Sequence, residues 1–236
     1  MKLIYFMAFD EMPLNEMRGQ YIIKQEVDME DRRKETSKWS ETTRGKAIKE
    51  IISWIVMLAI GFSIAHLLTN YVVVNARIPS GSMQNTIMKG DKLLANRLSY
   101  ISEKPERGDI VVFKYPVDRE KLYIKRIIGL PNETVEIIDG KIYINGSEEP
   151  LEENYLPEKW DICNDGYAFH VPEGCYLMLG DNRNNSSDSR YWAVEAVKNG
   201  LATDEIEAEP YQYVKEEDIV GKAILRYWPI TDFKSF

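Results

Sequence analysis

Along the chain the pattern of apolar and polar positions changes twice. Residues 1–48 mix charged and polar side chains with no sustained apolar period. From Ile51 to Ala76 there is no Asp, Glu, Lys or Arg, and the first 18 residues of that run read IISWIVMLAIGFSIAHLL. As a helix rising 1.5 Å per residue, those residues reach about 27 Å, just enough to cross the hydrocarbon core of a bilayer. From about Tyr71 the period becomes two. VVFKY, KLYIKRIIGL, TVEIIDGKIYING, CYLML and KAILRYW are rich in Val, Ile and Tyr, and they predict strands. Asp139-Gly140 is a hairpin signal between EII and KIYI, and Asn145-Gly146 ends the next strand. Helical periodicity in this part shows only around Ala193 to Asn199.

The elements predict a mainly β protein with one N-terminal transmembrane helix. Residues 1–48 would be a cytoplasmic tail, disordered or weakly helical, residues 49–70 the transmembrane helix, and residues 71–236 an antiparallel, folded or barrel-like domain. Within that domain residues 145–173, polar and carrying Pro157 and Pro172, predict a smaller excursion from the main sheet. The opening MKLIYFMAF is too short to span; it is a small amphipathic piece, or the true start lies at a later methionine. A cleaved signal peptide is excluded as the source of the apolar run, because roughly fifty residues precede it. Its flanks give the orientation. The twenty residues before it hold Arg32, Arg33, Lys34, Lys38, Arg44, Lys46 and Lys49, whereas the twenty after Leu68 hold only Arg77. The positive-inside rule then places the N-terminus in the cytoplasm and everything after about Leu68 outside, as a single-pass protein of the cell membrane.

Composition narrows the functional classes. The 236 residues are 44% hydrophobic and 29% charged, as expected of a globular domain with something attached. A net charge of −8 lacks the basic footprint of a nucleic-acid binder, so no nucleic-acid partner is expected. Cys163 and Cys175, with His66 and His170, offer neither a CxxC pair nor zinc spacing, and no metal site is expected. Both cysteines fall on the exported side, where a bridge can persist, but Cys175 in an apolar strand serves equally as a buried small residue.

Three segments carry candidate chemistry. IPSGSMQNTI, Ile78 to Ile87, puts a Ser-Gly-Ser turn just beyond the apolar run; it is either a linker or a serine nucleophile on an exposed turn. A serine hydrolase needs a base. His170, in GYAFHVPEG, is the only histidine of the domain, and the alternative base is a lysine held neutral near pH 7. In LYIKRII, alternation puts Tyr123, Lys125 and Ile127 on one face, giving Lys125 apolar neighbours, while adjacent Arg126 adds positive charge. Periodicity alone leaves this reading level with the wet face of an edge strand. The third segment, LGDNRNNSSDSRYW, is a solvated loop or a site loop, in which Asp188 and Arg190 can pair.

Together the segments resemble the bacterial type I signal peptidases, membrane-bound serine proteases that remove signal peptides from exported proteins. Four motifs stand in the family's order: SGSMQNTI (Ser80 to Ile87), RGDIVVFKYP (Arg107 to Pro116), YIKRIIGLPNE (Tyr123 to Glu133) and GDNRNNSSDSRYW (Gly180 to Trp192). The resemblance covers about Ile51 to Ile230. It implies Ser82 as nucleophile, Lys125 as general base, Ser80 in the oxyanion hole beside the Ser82 N–H, and Ser186 orienting the lysine amine. It further implies support from Asp188, Arg190 and Arg126. Shallow pockets for small side chains would be lined by Ile78, Met83, Tyr123 and Ile124, with Ala-x-Ala cleavage signals. The implied partners are signal peptides of secreted preproteins and the lipid bilayer, with no cofactor. Asn85 stands where the family usually has proline, Asn184 where aspartate is common and Ala193 where glycine is common. Two other classes remain open: a Ser-Lys hydrolase of the self-cleaving repressor type, which would bring a DNA-binding domain and no anchor, and an inactive membrane-anchored paralogue, which would lack Ser82 or Lys125.

Overall fold

The computed structural model describes residues 14–236, so MKLIYFMAF lies outside the described residues. It divides into two compact units, one ending at Ile64 and the other running from Ala65 to Phe236. The first is a single helix, α1 (Leu14–Leu67), which runs on through a wider turn at Leu68–Val72. The helix therefore begins far upstream of residue 49, and the tail expected to be disordered or weakly helical is helical from Leu14. The reason is local: this stretch holds no proline, is rich in Glu, Lys, Arg, Gln and Met, and carries the Glu30–Lys34 pair one turn apart at 2.8 Å. Among the described residues it is the one helix long and apolar enough to cross a bilayer, and every residue from Ile51 to Tyr71 is exposed.

In the second unit every strand pairing is antiparallel. Its strands are β1 (Val73–Arg77), β2 (Lys92–Asn96), β3 (Ile110–Tyr115), β4 (Asp118–Gly129), β5 (Thr134–Ile138), β6 (Lys141–Ile144), β7 (Tyr167–His170), β8 (Cys175–Leu179), β9 (Tyr213–Lys215), β10 (Ile219–Trp228) and β11 (Lys234–Ser235). Two helices join them, the single turn α2 (Ser99–Ser102) and α3 (Ser189–Lys198). The main sheet has the order β1-β2-β10-β3-β4-β8-β9, with β11 on β10. Register shifts in β10 and between β4 and β8 bend it. The second sheet, β6-β5-β7, begins at Thr134, so the excursion starts earlier than the expected residue 145. Its first hairpin turns on Asp139 and Gly140, both at positive φ (48° and 72°), the conformation that an Asp-Gly pair favours.

Three apolar clusters set the framework of the site. Ile128, Val135, Ile137, Trp160, Phe169 and Leu179 join the two sheets. Phe113, Tyr115, Ile127, Tyr176 and Trp192 pack α3 against the main sheet. Ile78, Met83, Ile87, Leu93, Ile110 and Ala223 lie under the serine turn. Met83 and Ile87 are wholly enclosed, each worth about 1.5–3 kcal/mol of burial, and they pin an otherwise irregular segment to the sheet.

Candidate active site

Ser82 sits in a 14-residue loop between β1 and β2 whose two ends close on each other. Ile78 N donates to Asp91 O at 3.0 Å and Gly90 N to Ile78 O at 2.8 Å. From below, Arg226 on β10 donates to Asp91 Oδ2 (3.1 Å) and to Thr86 O (3.3 Å), and pairs with Asp232 at 2.6 Å. From the side, Asn182 N donates to Ser82 O at 3.0 Å and Asn182 Nδ2 to Gly81 O at 3.2 Å. Asn85 takes φ 81° and donates to Tyr155 O at 3.2 Å. A proline, fixed near φ −65°, cannot adopt that backbone, which explains this departure from the family pattern.

Lys125 reaches the same point from β4, where pairing on both sides (β3 and β8) holds the strand in the sheet interior. Its Nζ lies 2.8 Å from Ser82 Oγ and 3.0 Å from Ile124 O, and 5.4 Å from the centre of the Tyr123 ring. The residue is only 4% exposed, so the wet edge-strand reading is set aside. Burial pulls the amine down to about 8, against the opposing pull of Asp188 and then Asp181. Arg126, expected to help lower it, contributes little because its own charge is cancelled: Nε and Nη2 grip Asp181 at 2.8 and 2.6 Å, and Nη1 donates to Gly108 O at 2.7 Å.

Asp181 went unassigned in the sequence reading. It also accepts from Thr86 Oγ1 at 2.5 Å, and so ties the lysine strand to the serine loop. The Asp188–Arg190 pair does form, at 2.8 and 2.9 Å with both side chains fully buried. Asp188 caps α3 and accepts from Gly180 N at 3.1 Å, while Arg190 donates to Arg183 O at 2.8 Å. Arg183 in turn pairs with Glu153 at 2.5 Å, and the Tyr155 ring lies 3.9 Å from the Arg126 guanidinium. Asn184 accepts from Asp161 N and Ile162 N and donates to Glu158 and Lys159 O. An aspartate could only accept, which explains asparagine there. Ala193 is enclosed against Ala196 and Ala208, where a methyl group fits.

The remaining expected residues divide. Ser80 Oγ lies 3.5 Å from Ser82 Oγ, and among the described residues the Ser82 N–H has no acceptor. Ser186 is buried, but its Oγ has no hydrogen-bond partner and no bond to Lys125. It crowds Gly180, where a Cβ would meet Ser186 Oγ at 2.2 Å and Ser82 O at 2.5 Å, so only glycine fits. Tyr123 and Ile124 line a cleft of about 360 Å³ with Pro79, Ser80, Leu122 and Ser187. Ile78 and Met83 do not: at 3% and 0% exposure they belong to the core. Both were implied by the family resemblance, and the irregular loop, with no strand alternation, carries them inward. His170 is exposed on β7 and bonds to Thr134 Oγ1 at 3.1 Å, not to Ser82. Cys163 and Cys175 are free thiols. Among the described residues no group of three or more His, Cys, Asp or Glu is placed to hold a metal ion.

The model of the signal peptidase family, peptidase S26, matches residues 51–228. A signal peptidase I of Leptolyngbya laminosa is 35% identical over 196 residues, 78% of this chain and 83% of its own. A signal peptidase IB of Staphylococcus aureus is 30% identical over 200 residues, 79% of this chain and 94% of its own. The crystal structure of a signal peptidase I from Enterococcus faecalis is 34% identical, covers 51% of this chain and 97% of that one, and superposes with a TM-score of 0.37.

Proposed function

The chain belongs to the peptidase S26 family, serine peptidases that cleave signal peptides, and on that premise we propose that Ser82 is its nucleophile and Lys125 its general base. The observation that carries this is the 2.8 Å approach of a buried amine, drawn down to about 8, to the Ser82 hydroxyl. Neutral Lys125 takes the Ser82 proton as Oγ attacks the scissile carbonyl. The tetrahedral oxyanion is held by the free Ser82 N–H and the Ser80 hydroxyl. The lysine then passes its proton to the leaving amine. Water, activated by the same amine, releases the acyl group from Ser82. Ser186, with its unpartnered hydroxyl beside Gly180, turns to orient the amine, and the Asp181 and Asp188 ion pairs keep loop and strand in register. Tyr123 and Ile124 form the floor of a shallow cleft that favours small side chains of the Ala-x-Ala kind.

Membrane anchoring through the apolar half of α1 completes the reading. With the N-terminus in the cytoplasm and residues 71–236 outside, Ser82 follows Leu68 closely and meets peptide bonds just beyond the bilayer. The tether confines enzyme and substrate to one surface and raises their effective concentration. Purified full-length protein should cleave a preprotein at its signal junction, and Ser82→Ala should fall to background; wild-type cleavage by Ser82→Ala would end the assignment. Protease outside intact spheroplasts should digest residues 71–236, and digestion confined to the tail would reverse the orientation.

A further inference from the structure

We propose that Glu195 is a positioning residue that sets the width of the substrate cleft and thereby its selectivity for small side chains. The inference rests on the reading of that cleft as the peptide site. Glu195 lies on α3, outside every motif of the sequence analysis. Its carboxylate bridges two elements: Oε1 accepts from Ser187 Oγ at 2.8 Å, and Oε2 accepts from Tyr115 Oη. Ser187 is exposed on one rim of the cleft. Tyr115 is stacked on Tyr123, ring centres 4.2 Å apart and 2° from parallel, and Tyr123 lines the floor of the same cleft. Trp192, one turn before Glu195 on α3, meets both rings edge-on at 5.6 and 6.5 Å. The loop rim and the strand floor are therefore joined behind the cleft through one carboxylate. Ser187 Oγ has no other hydrogen bond among the described residues, so Glu195 is its one side-chain tether, while the neighbouring Asp188 anchors the backbone beside it.

Without the bridge, the Ser187 rim is free to move away from Tyr123 and the cleft admits larger side chains. Glutamine keeps a bridge, because its amide accepts from one hydroxyl and donates to the other. The test measures kcat/KM of the full-length enzyme on synthetic preprotein peptides with Ala, Val or Leu before the scissile bond. Exclusion of a few methylenes is worth about tenfold or more. Glu195→Ala, Tyr115→Phe and Ser187→Ala should each raise the Leu-to-Ala ratio of kcat/KM by about threefold to tenfold, with Glu195→Gln near wild type. A uniform fall on all three peptides, or unchanged ratios in all three variants, would overturn the proposal. Wild-type activity on the Ala peptide keeps that failure distinct from a failure of the peptidase reading itself.

Discussion

Lys125 and Arg126 are consecutive on β4, yet the protein treats their charges in opposite ways. On one face Lys125, among the described residues, has no carboxylate within bonding distance; it meets a hydroxyl, a carbonyl and an aromatic ring. On the other, Arg126 is gripped by Asp181 through two nitrogens and covered by Tyr155. Burial is severe on both sides, but only one cation is compensated. An uncompensated buried amine gives up its proton readily, and a compensated guanidinium never does. Strand alternation thus separates, across a single peptide bond, a buried amine whose proton is loosened from a buried guanidinium whose proton is held.

The largest effect should come from erasing each cation in turn. Lys125 drops from 10.5 to about 8, a gap worth about 3 kcal/mol. Below about pH 8 the amine is protonated in both folded and unfolded chains, and the folded state bears this cost in full. Between about 8 and 10.5 the unfolded chain still holds a proton that the folded one has released, so stability climbs with pH and then levels. Lys125→Met should therefore abolish cleavage yet stabilise the fold at pH 7 by up to about 3 kcal/mol in denaturant unfolding. Arg126→Met should do the reverse to stability, costing about 3–5 kcal/mol, because it strands Asp181 in the interior. If both variants lose stability alike, the contrast fails.

The proton itself gives a smaller and sharper test. In the free enzyme kcat/KM should rise along a limb centred near pH 8 as Lys125 deprotonates, and Lys125→Arg should be inactive at every pH, since guanidinium keeps its proton. An active Lys125→Arg enzyme would assign the base elsewhere. The smallest expected effect is that of His170→Ala: with its exposed ring bonded to Thr134, this histidine should leave the rate within about twofold of wild type.

Much of this was legible in the chain. Strands with clean alternation, the Asp139-Gly140 turn and the apolar helix all announce themselves because each depends on near neighbours. The same period of two put Lys125 on a face with Tyr123 and Ile127, but left a buried base level with a wet edge. The rest depends on distant partners. β1 (VVNAR) and β2 (KLLAN) are short and mixed, and become strands only by pairing with each other and with β10. Asp181 finds Arg126 because β4 and β8 align Arg126 with Leu179, a register that no local pattern states. Met83 and Ile78 were implied as pocket residues by the family resemblance, but the loop turns them into the core. Ser186 matched the family's orienting serine, whereas its hydroxyl here stands unpartnered.

Arg226 reaches Thr86 across 140 residues, and its strand β10 is inserted between β2 and β3. Ribosomal synthesis delivers Ser82 long before either of these partners exists. During that interval β2 has only β1 beside it, and the loop that carries the serine has no floor. Bringing together residues so far apart in sequence carries a loop-closure cost that near neighbours do not incur. Completion of the Ser82 loop is thus tied to the last long strand of the chain, and a truncation before β10 should leave Ser82 in place without its floor.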